Sequence, residues 1–444
     1  MLAALGRLVH FVDDYSFLFK VGLKTVQSNI EAYLKGLFQR YKSRNIERMV
    51  DVVEGDYQSI QQTISDSPWD HRPVMDLVAK NADKELGDAE NACLILDPSA
   101  FRKWGNKSVG VRKQWCGRLG KVENCQVGIF AALAHGTQST IIDSRLYLPD
   151  EWANDKERCL EAKVPEEEIK YRTRTDIALD MIDTADENKI RYGWILADAE
   201  FAKNMDFSAE IASLGKRFVI DIPKDTRIYL KKPSAGDEQG VAVESWASLL
   251  KKSEIKKYKI RNGTRGSVNY RVAHTLAWIS DSYGNWWQWH VLFLQDEEGK
   301  RRYAISNAPA AAPVEKLAQI HSQRVWIESD FRDAKNAIGM DEYQVRGWIG
   351  WHHHMALCMM ALLFCLTEKR RQKKTIIHLS AQDVTHCISM FLTSKISDKN
   401  EVFRQLRFRH QQRVNAIRSH ARNKQRRLKE KCALRLSKLQ KRAI

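Results

Sequence analysis

Eight cysteines are scattered through 444 residues with no CxxC pair and no regular spacing. That excludes a disulfide miniprotein. Cys93, Cys125 and Cys358 sit in apolar surroundings, where a reduced thiol acts as a small hydrophobe. A reducing, cytoplasmic compartment is therefore expected. Long apolar runs are also missing. The longest, Met355 to Leu366, has 12 residues, against the roughly 20 that a membrane span needs. The apolar N-terminus MLAALGRLVHFVDDYSF carries Asp13 and Asp14 and has no cleavage-site pattern, which argues against a signal peptide. The expectation is a soluble protein with no membrane partner. No motif supports a Ser or Cys nucleophile.

What is present is an ordinary globular mixture, 43% hydrophobic and 29% charged, long enough for two or three domains. Lys and Arg outnumber Asp and Glu by 72 to 55, a net charge of +17. Such a balance favours an acidic polymer as partner, nucleic acid first. The excess is concentrated. Glu401 to Ile444 holds 15 basic residues against Glu401 and Glu430, a local +13 that leaves only +4 for the other 400 residues.

Residues 1–88 read as helical, with Phe17, Val21, Val26, Ile30, Leu34 and Leu37 at helical spacing and Ser67-Pro68-Trp69-Asp70 as a helix start. A DNA-binding head and a plain helical bundle both fit that pattern. From residue 89 to 223 the runs ACLILD, QVGIFAAL, STIIDSRLYL, YGWILAD and RFVIDIP predict strands, interrupted by helices at Thr175–Glu187 and Phe207–Leu214. Three strands followed by helix, strand, helix, strand indicate a mixed α/β sheet with flanking helices. Residues 224–312 are β-rich, with turns at Asn262-Gly263, Tyr283-Gly284-Asn285 and Glu298-Gly299. Residues 313–370 carry a long helix from Pro313 to Ile338, stopped at Gly339, and a second from Gly350 to Arg370. Residues 371–444 form the basic C-terminal region, helical or disordered, with Val414, Ile417, Ala421 and Leu428 at near-heptad spacing.

Several acids end apolar strand runs: Asp97, Asp143, Asp198 and Asp221. An Asp there emerges at the rim where α/β sheets place their sites. On the helix from Pro313, His321, Arg324, Glu328 and Lys335 share one stripe beside an apolar face of Ile320, Ile327, Phe331 and Ala334. Two strand-end carboxylates and a helical Glu suit phosphodiester cleavage with Mg²⁺, whose oxygen ligands such acids supply. Two ions can clamp the attacking and leaving oxygens. Arg324 and Lys335 could hold the phosphates. By spacing alone the strand-end acids are equivalent. A helical Glu flanked by Arg and Lys also fits a solvated ion pair.

The segment HSQRVWIESDFRDAK (His321–Lys335) resembles the Tyr-Arg-Glu-Lys signature of bacterial insertion-sequence DDE transposases, with Arg, Glu and Lys at Arg324, Glu328 and Lys335 and His321 in place of the Tyr. LILDPSAF and WILADAEF resemble the strands that carry that family's two Asp residues. The resemblance covers roughly residues 40 to 365. It selects Asp97, Asp198 and Glu328 as catalytic and metal-binding residues over Asp143 and Asp221. It implies an RNase H-like sheet with a β-rich insertion before the Glu helix. It also implies two Mg²⁺ ions, with Mn²⁺ as a substitute, and cleavage at element ends with strand transfer into target DNA. A homodimer would act on paired terminal inverted repeats. His321, Arg324 and Lys335 are expected at the DNA. Trp287, beside Trp286 and Trp289, is a candidate for stacking on a base, although alternating strand packing explains it too. The alternatives are a catalytically altered DNA-binding derivative and a structure-selective nuclease without strand transfer. His352-His353-His354 cannot converge on one metal, because consecutive helical residues point apart.

Overall fold

A computed structural model describes residues 4–39, 44–233, 240–263, 266–372 and 379–392, with scattered positions between 411 and 426. Met1–Val50 and Glu54–Leu392 form one compact unit, and Asp51–Val53 with Thr393–Ile444 a second. The second unit contains most of the basic tail. The described positions of the tail are helical and exposed, and Gln411 donates a side-chain hydrogen bond to Asn415 at 3.1 Å. The Val414–Ile417–Ala421–Leu428 seam lies outside the described residues.

Among the described residues five α-helices come first: α1 Ala4–Asp13, α2 Gln27–Leu37, α3 Ile46–Met49, α4 Tyr57–Ser65 and α5 His71–Leu86. Side-chain caps explain where three of them begin. Asn45 accepts from the backbone N–H of Arg48, Asp56 from Ser59 and Asp70 from Arg72, each satisfying an otherwise orphaned donor. The sheet strands then run β1 Cys93–Arg102, β2 Arg112–Cys116, β3 Lys121–His135 and β4 Gln138–Leu146. Helix α6 (Arg174–Glu187), opened by a Thr173–Asp176 capping box, leads to β5 Trp194–Ala197. Helix α7 (Asp206–Ser213) leads to β6 Phe218–Asp221.

The β-rich segment supplies β7 Lys256–Gly263, β8 Gly266–Ser280, β9 Trp286–Gln295 and β10 Arg301–Ser306. These strands extend the central sheet rather than closing a sheet of their own. The order is β7-β8-β9-β10-β6-β5-β1-β3-β2, and β4 also pairs with β3. Among the described residues, only β1–β5 and β5–β6 pair in parallel. The join is β10 lying antiparallel to β6. Without that cover β6 would present an open edge. The sequence-based boundary between residues 223 and 224 therefore falls inside one continuous sheet.

The helix expected from Pro313 to Ile338 is three pieces. Helix α8 (Val314–Ser322) stops in a turn at Gln323 and Arg324, α9 (Val325–Asp333) resumes, and Ala334–Ile338 form a π-turn. The chain then leaves through Gly339 at φ +79°, where only glycine is unstrained. Helix α10 (Trp348–Gln372) runs through the core and α11 (Ala381–Ser389) starts at a Ser380–Asp383 capping box. By length and composition α10 could cross a membrane, but 94% of its apolar window is buried inside the fold. Its polar residues are matched from the N-terminal helices. The Tyr33 hydroxyl lies 2.8 Å from His354 Nδ1, His353 lies between the Ile64 and Trp69 carbonyls, and Arg7 forks onto Glu368 at 2.5 and 2.7 Å.

Candidate active site

Strand register places the acids. Leu96 pairs with Ala197, and Ala197 with Ile220, in parallel ladders. One residue further along each strand come Asp97, Asp198 and Asp221. Parallel neighbours lie about 4.8 Å apart and point to the same face at the same rung. The three acids thus form a row across β1, β5 and β6. Asp97 and Asp198 open into a cavity of about 770 Å³ that is also lined by Glu328, Arg324, Lys335 and Trp115.

The row is electrostatically divided. Burial pushes the Asp97 carboxyl well above the ordinary carboxylate range, and Asp198 pushes it in the same direction, while Arg324 opposes both. Burial likewise raises Asp198 against the pull of Arg324. Burial would raise Asp221 too, but His321 and Arg324 outweigh it and hold this acid below the usual range. Those partners are close: His321 Nε2 is 2.6 Å from Asp221 Oδ1, and Arg324 Nε is 3.1 Å from Oδ2. The other guanidinium nitrogens reach Asp97 at 3.7 Å and Glu328 at 3.3 Å. One arginine fork thereby touches three carboxylates on three elements, β1, β6 and α9.

The other expected site residues take the following places. His321, expected at the DNA, is only 1% exposed and lies against Asp221. Arg324 is occupied by carboxylates rather than free for phosphate. Lys335 does line the cavity; the π-turn carries it over the Phe101 ring, and its Nζ donates to Ser99 Oγ at 2.8 Å. Trp287 lies in the β8–β9 hairpin, outside the cavity lining. Its indole N–H donates to Asp281 at 3.1 Å and its ring stacks on Trp289. Asp143 is two strands from β1 and tied to Arg72 at 2.7 Å and Arg145 at 3.5 Å. His352, His353 and His354 are buried and each faces backbone carbonyls, as core residues do.

Reasoning from sequence missed two features. Asp221, which the resemblance passes over, ends a third parallel strand one residue after the Ala197–Ile220 rung, a signal visible once the register of β5 and β6 is considered. Trp115, 56% exposed at the cavity rim, sits on a short strand with no motif to mark it.

The oxygen donors present suit a hard divalent cation. Asp97 and Asp198 are desolvated, adjacent and mutually repulsive, and a dication relieves that repulsion. Among the described residues no three His, Cys, Asp or Glu side chains converge closely enough to hold a metal ion. Glu328, 46% exposed at its side chain, is paired with Arg324 instead. The donor chemistry fits the metal, then, while the third carboxylate stands back.

Sequence comparison agrees with this geometry. The profile described as "DDE superfamily endonuclease" matches residues 17–241, and that described as "Transposase DDE domain" matches residues 170–364. A relative described as a probable transposase for insertion sequence element IS701, from Microchaete diplosiphon, is 22% identical over 352 residues. The alignment spans 76% of this chain and 82% of the relative. A DDE domain implies dependence on divalent metal, and a transposase domain implies DNA binding. With a family profile covering half its length and Asp97 and Asp198 side by side at one cavity, this chain belongs to the DDE superfamily and carries a transposase DDE domain.

Proposed function

We propose that the protein is a transposase that cuts phosphodiester bonds at the ends of an insertion sequence and joins them to target DNA. The observation that carries this reading is the side-by-side placement of Asp97 and Asp198 on parallel strands, with Glu328 facing the same cavity. The antiparallel β4-β3-β1 meander flanked by parallel β5 and β6 supports an RNase H-like core. In this reading Asp97, Asp198 and Glu328 would hold two Mg²⁺ ions, or Mn²⁺ in their place, once Glu328 turns from Arg324 toward them. When bound, the ions supply charge for the attacking and leaving oxygens. Lys335 and Arg332 at the cavity wall hold the scissile strand by its phosphates. Trp115 offers a ring on which a terminal base can stack. The helical residues 1–88 and the basic residues 371–444 add DNA contacts outside the cavity, and the protein acts in the cytoplasm as a homodimer on paired ends.

The test is incubation of purified protein, Mg²⁺, labelled element ends and a plasmid target. Joined products support the reading. Cleavage without joining would identify a nuclease, and binding without either would identify a non-catalytic derivative.

A further inference from the structure

Arg324 reaches three carboxylates, and two of them, Asp97 and Glu328, are ones the proposed metal would need. The guanidinium spans Asp97 at 3.7 Å and Glu328 at 3.3 Å. It is anchored from behind by Asp221 at 3.1 Å, and Asp221 is itself gripped by His321 at 2.6 Å. The anchor is buried, with Asp221 8% and His321 1% exposed. Glu328, at the far end, is the exposed member. Position and chemistry separate the two roles. The buried pair fixes the arginine, and the exposed end opens to the cavity.

Resting on the proposed metal-binding reading, we propose that Asp221 is a positioning residue. With His321 it seats Arg324 as an internal countercharge that competes with the divalent cation in the DNA-free protein. A guanidinium within about 4 Å of the carboxylates neutralises the field that would draw in a dication. DNA phosphate supplies an alternative partner for the same fork, since guanidinium pairs well with phosphate oxygens. Metal loading and DNA binding are then linked through one side chain, and each tightens the other reciprocally.

The experiment is titration of the full-length, DNA-free protein with Mn²⁺, followed by electron paramagnetic resonance. Arg324→Gln is expected to bind Mn²⁺ roughly tenfold or more tightly than the parent. The effect of Asp221→Asn is expected to depend on the arginine: a change in Mn²⁺ affinity with Arg324 present, and a different one in the Arg324→Gln background. If Asp221 only adds negative charge, its effect will be the same in both backgrounds, and the seat is refuted. Unchanged or weaker binding by Arg324→Gln refutes the competition. Asp97→Asn separates the two levels of the argument. If it abolishes Mn²⁺ binding while Arg324→Gln fails to tighten it, only the countercharge idea falls. If it leaves binding untouched, the metal-site reading falls and the countercharge with it. Thermal melting of each variant checks that the fold is intact.

Discussion

Asp97 and Asp198 differ from Asp143 in what surrounds them. Asp143 is held by Arg72 and Arg145, and these charges together with the Ser144 N–H keep its carboxyl low despite burial. Asp97 and Asp198 have each other and a shared arginine, and burial raises both. A pair held in that condition is costly to the fold and useful to chemistry. Asp97→Asn, Asp198→Asn and Glu328→Gln are each expected to abolish cleavage while leaving DNA binding close to the parent level. Nicking assays and gel shifts on the same preparations check this, and near-parental nicking by one variant would remove that residue from the catalytic set. Trp115→Ala is expected to weaken end binding by about 1–3 kcal/mol if a base stacks on the ring, with Trp115→Phe recovering part of the loss. A binding constant unmoved by Trp115→Ala would assign the exposed indole no role in DNA contact.

At the scale of elements, the broken helix is the informative one. Its residues have helical periodicity from Pro313 onward, yet the chain turns at Gln323 and Arg324. His321 on one side of the turn is bonded to β6, and Arg324 on the other reaches β1, β6 and α9. Such contacts belong to the packing, not to local propensity. The π-turn that follows widens the helix where Lys335 meets Ser99, in keeping with the tendency of π-turns to occur at functional sites. Gly339 ends the run in the left-handed region, and a Cβ there would meet Arg44 Cδ at 2.6 Å. Gly339→Ala is expected to cost about 1–3 kcal/mol through backbone strain alone, measured by urea unfolding. An unchanged midpoint would mean the turn relaxes without loss.

Over the whole molecule, α10 ties the N-terminal helices to the sheet, and its histidines couple that packing to pH. Burial pushes the His354 pKa down to about 4, against about 6.5 when unfolded. The unfolded chain therefore binds the proton first as pH falls. The contribution of this imidazole to stability is full above about pH 6.5 and lost as pH drops toward 4, on the order of 3 kcal/mol in all. Urea midpoints measured across that window should fall with pH. Replacing Tyr33 by Phe should lower stability further at neutral pH by about 1–3 kcal/mol, because His354 Nδ1 loses its buried partner. The charge of the tail acts at the same scale. If its +13 balance contacts DNA, truncation after Lys399 should flatten the salt dependence of binding by about 0.9 in log–log slope per phosphate contact removed. A slope unchanged by truncation would make the tail a structural or oligomerisation element.

Strand positions were legible in the residues because central strands covered on both faces must be continuously apolar. ACLILD, YGWILAD and RFVIDIP accordingly all became neighbours in one sheet. A helix start was legible where a capping side chain marks it, as at Asp70. The candidate acids Asp97 and Asp198 followed from the same runs together with the family signature. Other properties had no local signature. Joining the β-rich segment to β6 required the pairing of Ile305 with Ile220, residues far apart in the chain. The burial of His321, the place of Trp115 at the cavity rim and the fork of Arg324 arise only when β1, β2, β6, α8 and α9 meet. Periodicity records which face a residue takes on its own element. It carries no information about which distant charge waits on the other side, and at this site such charges hold Asp221 below the usual carboxylate range while burial raises Asp97 and Asp198.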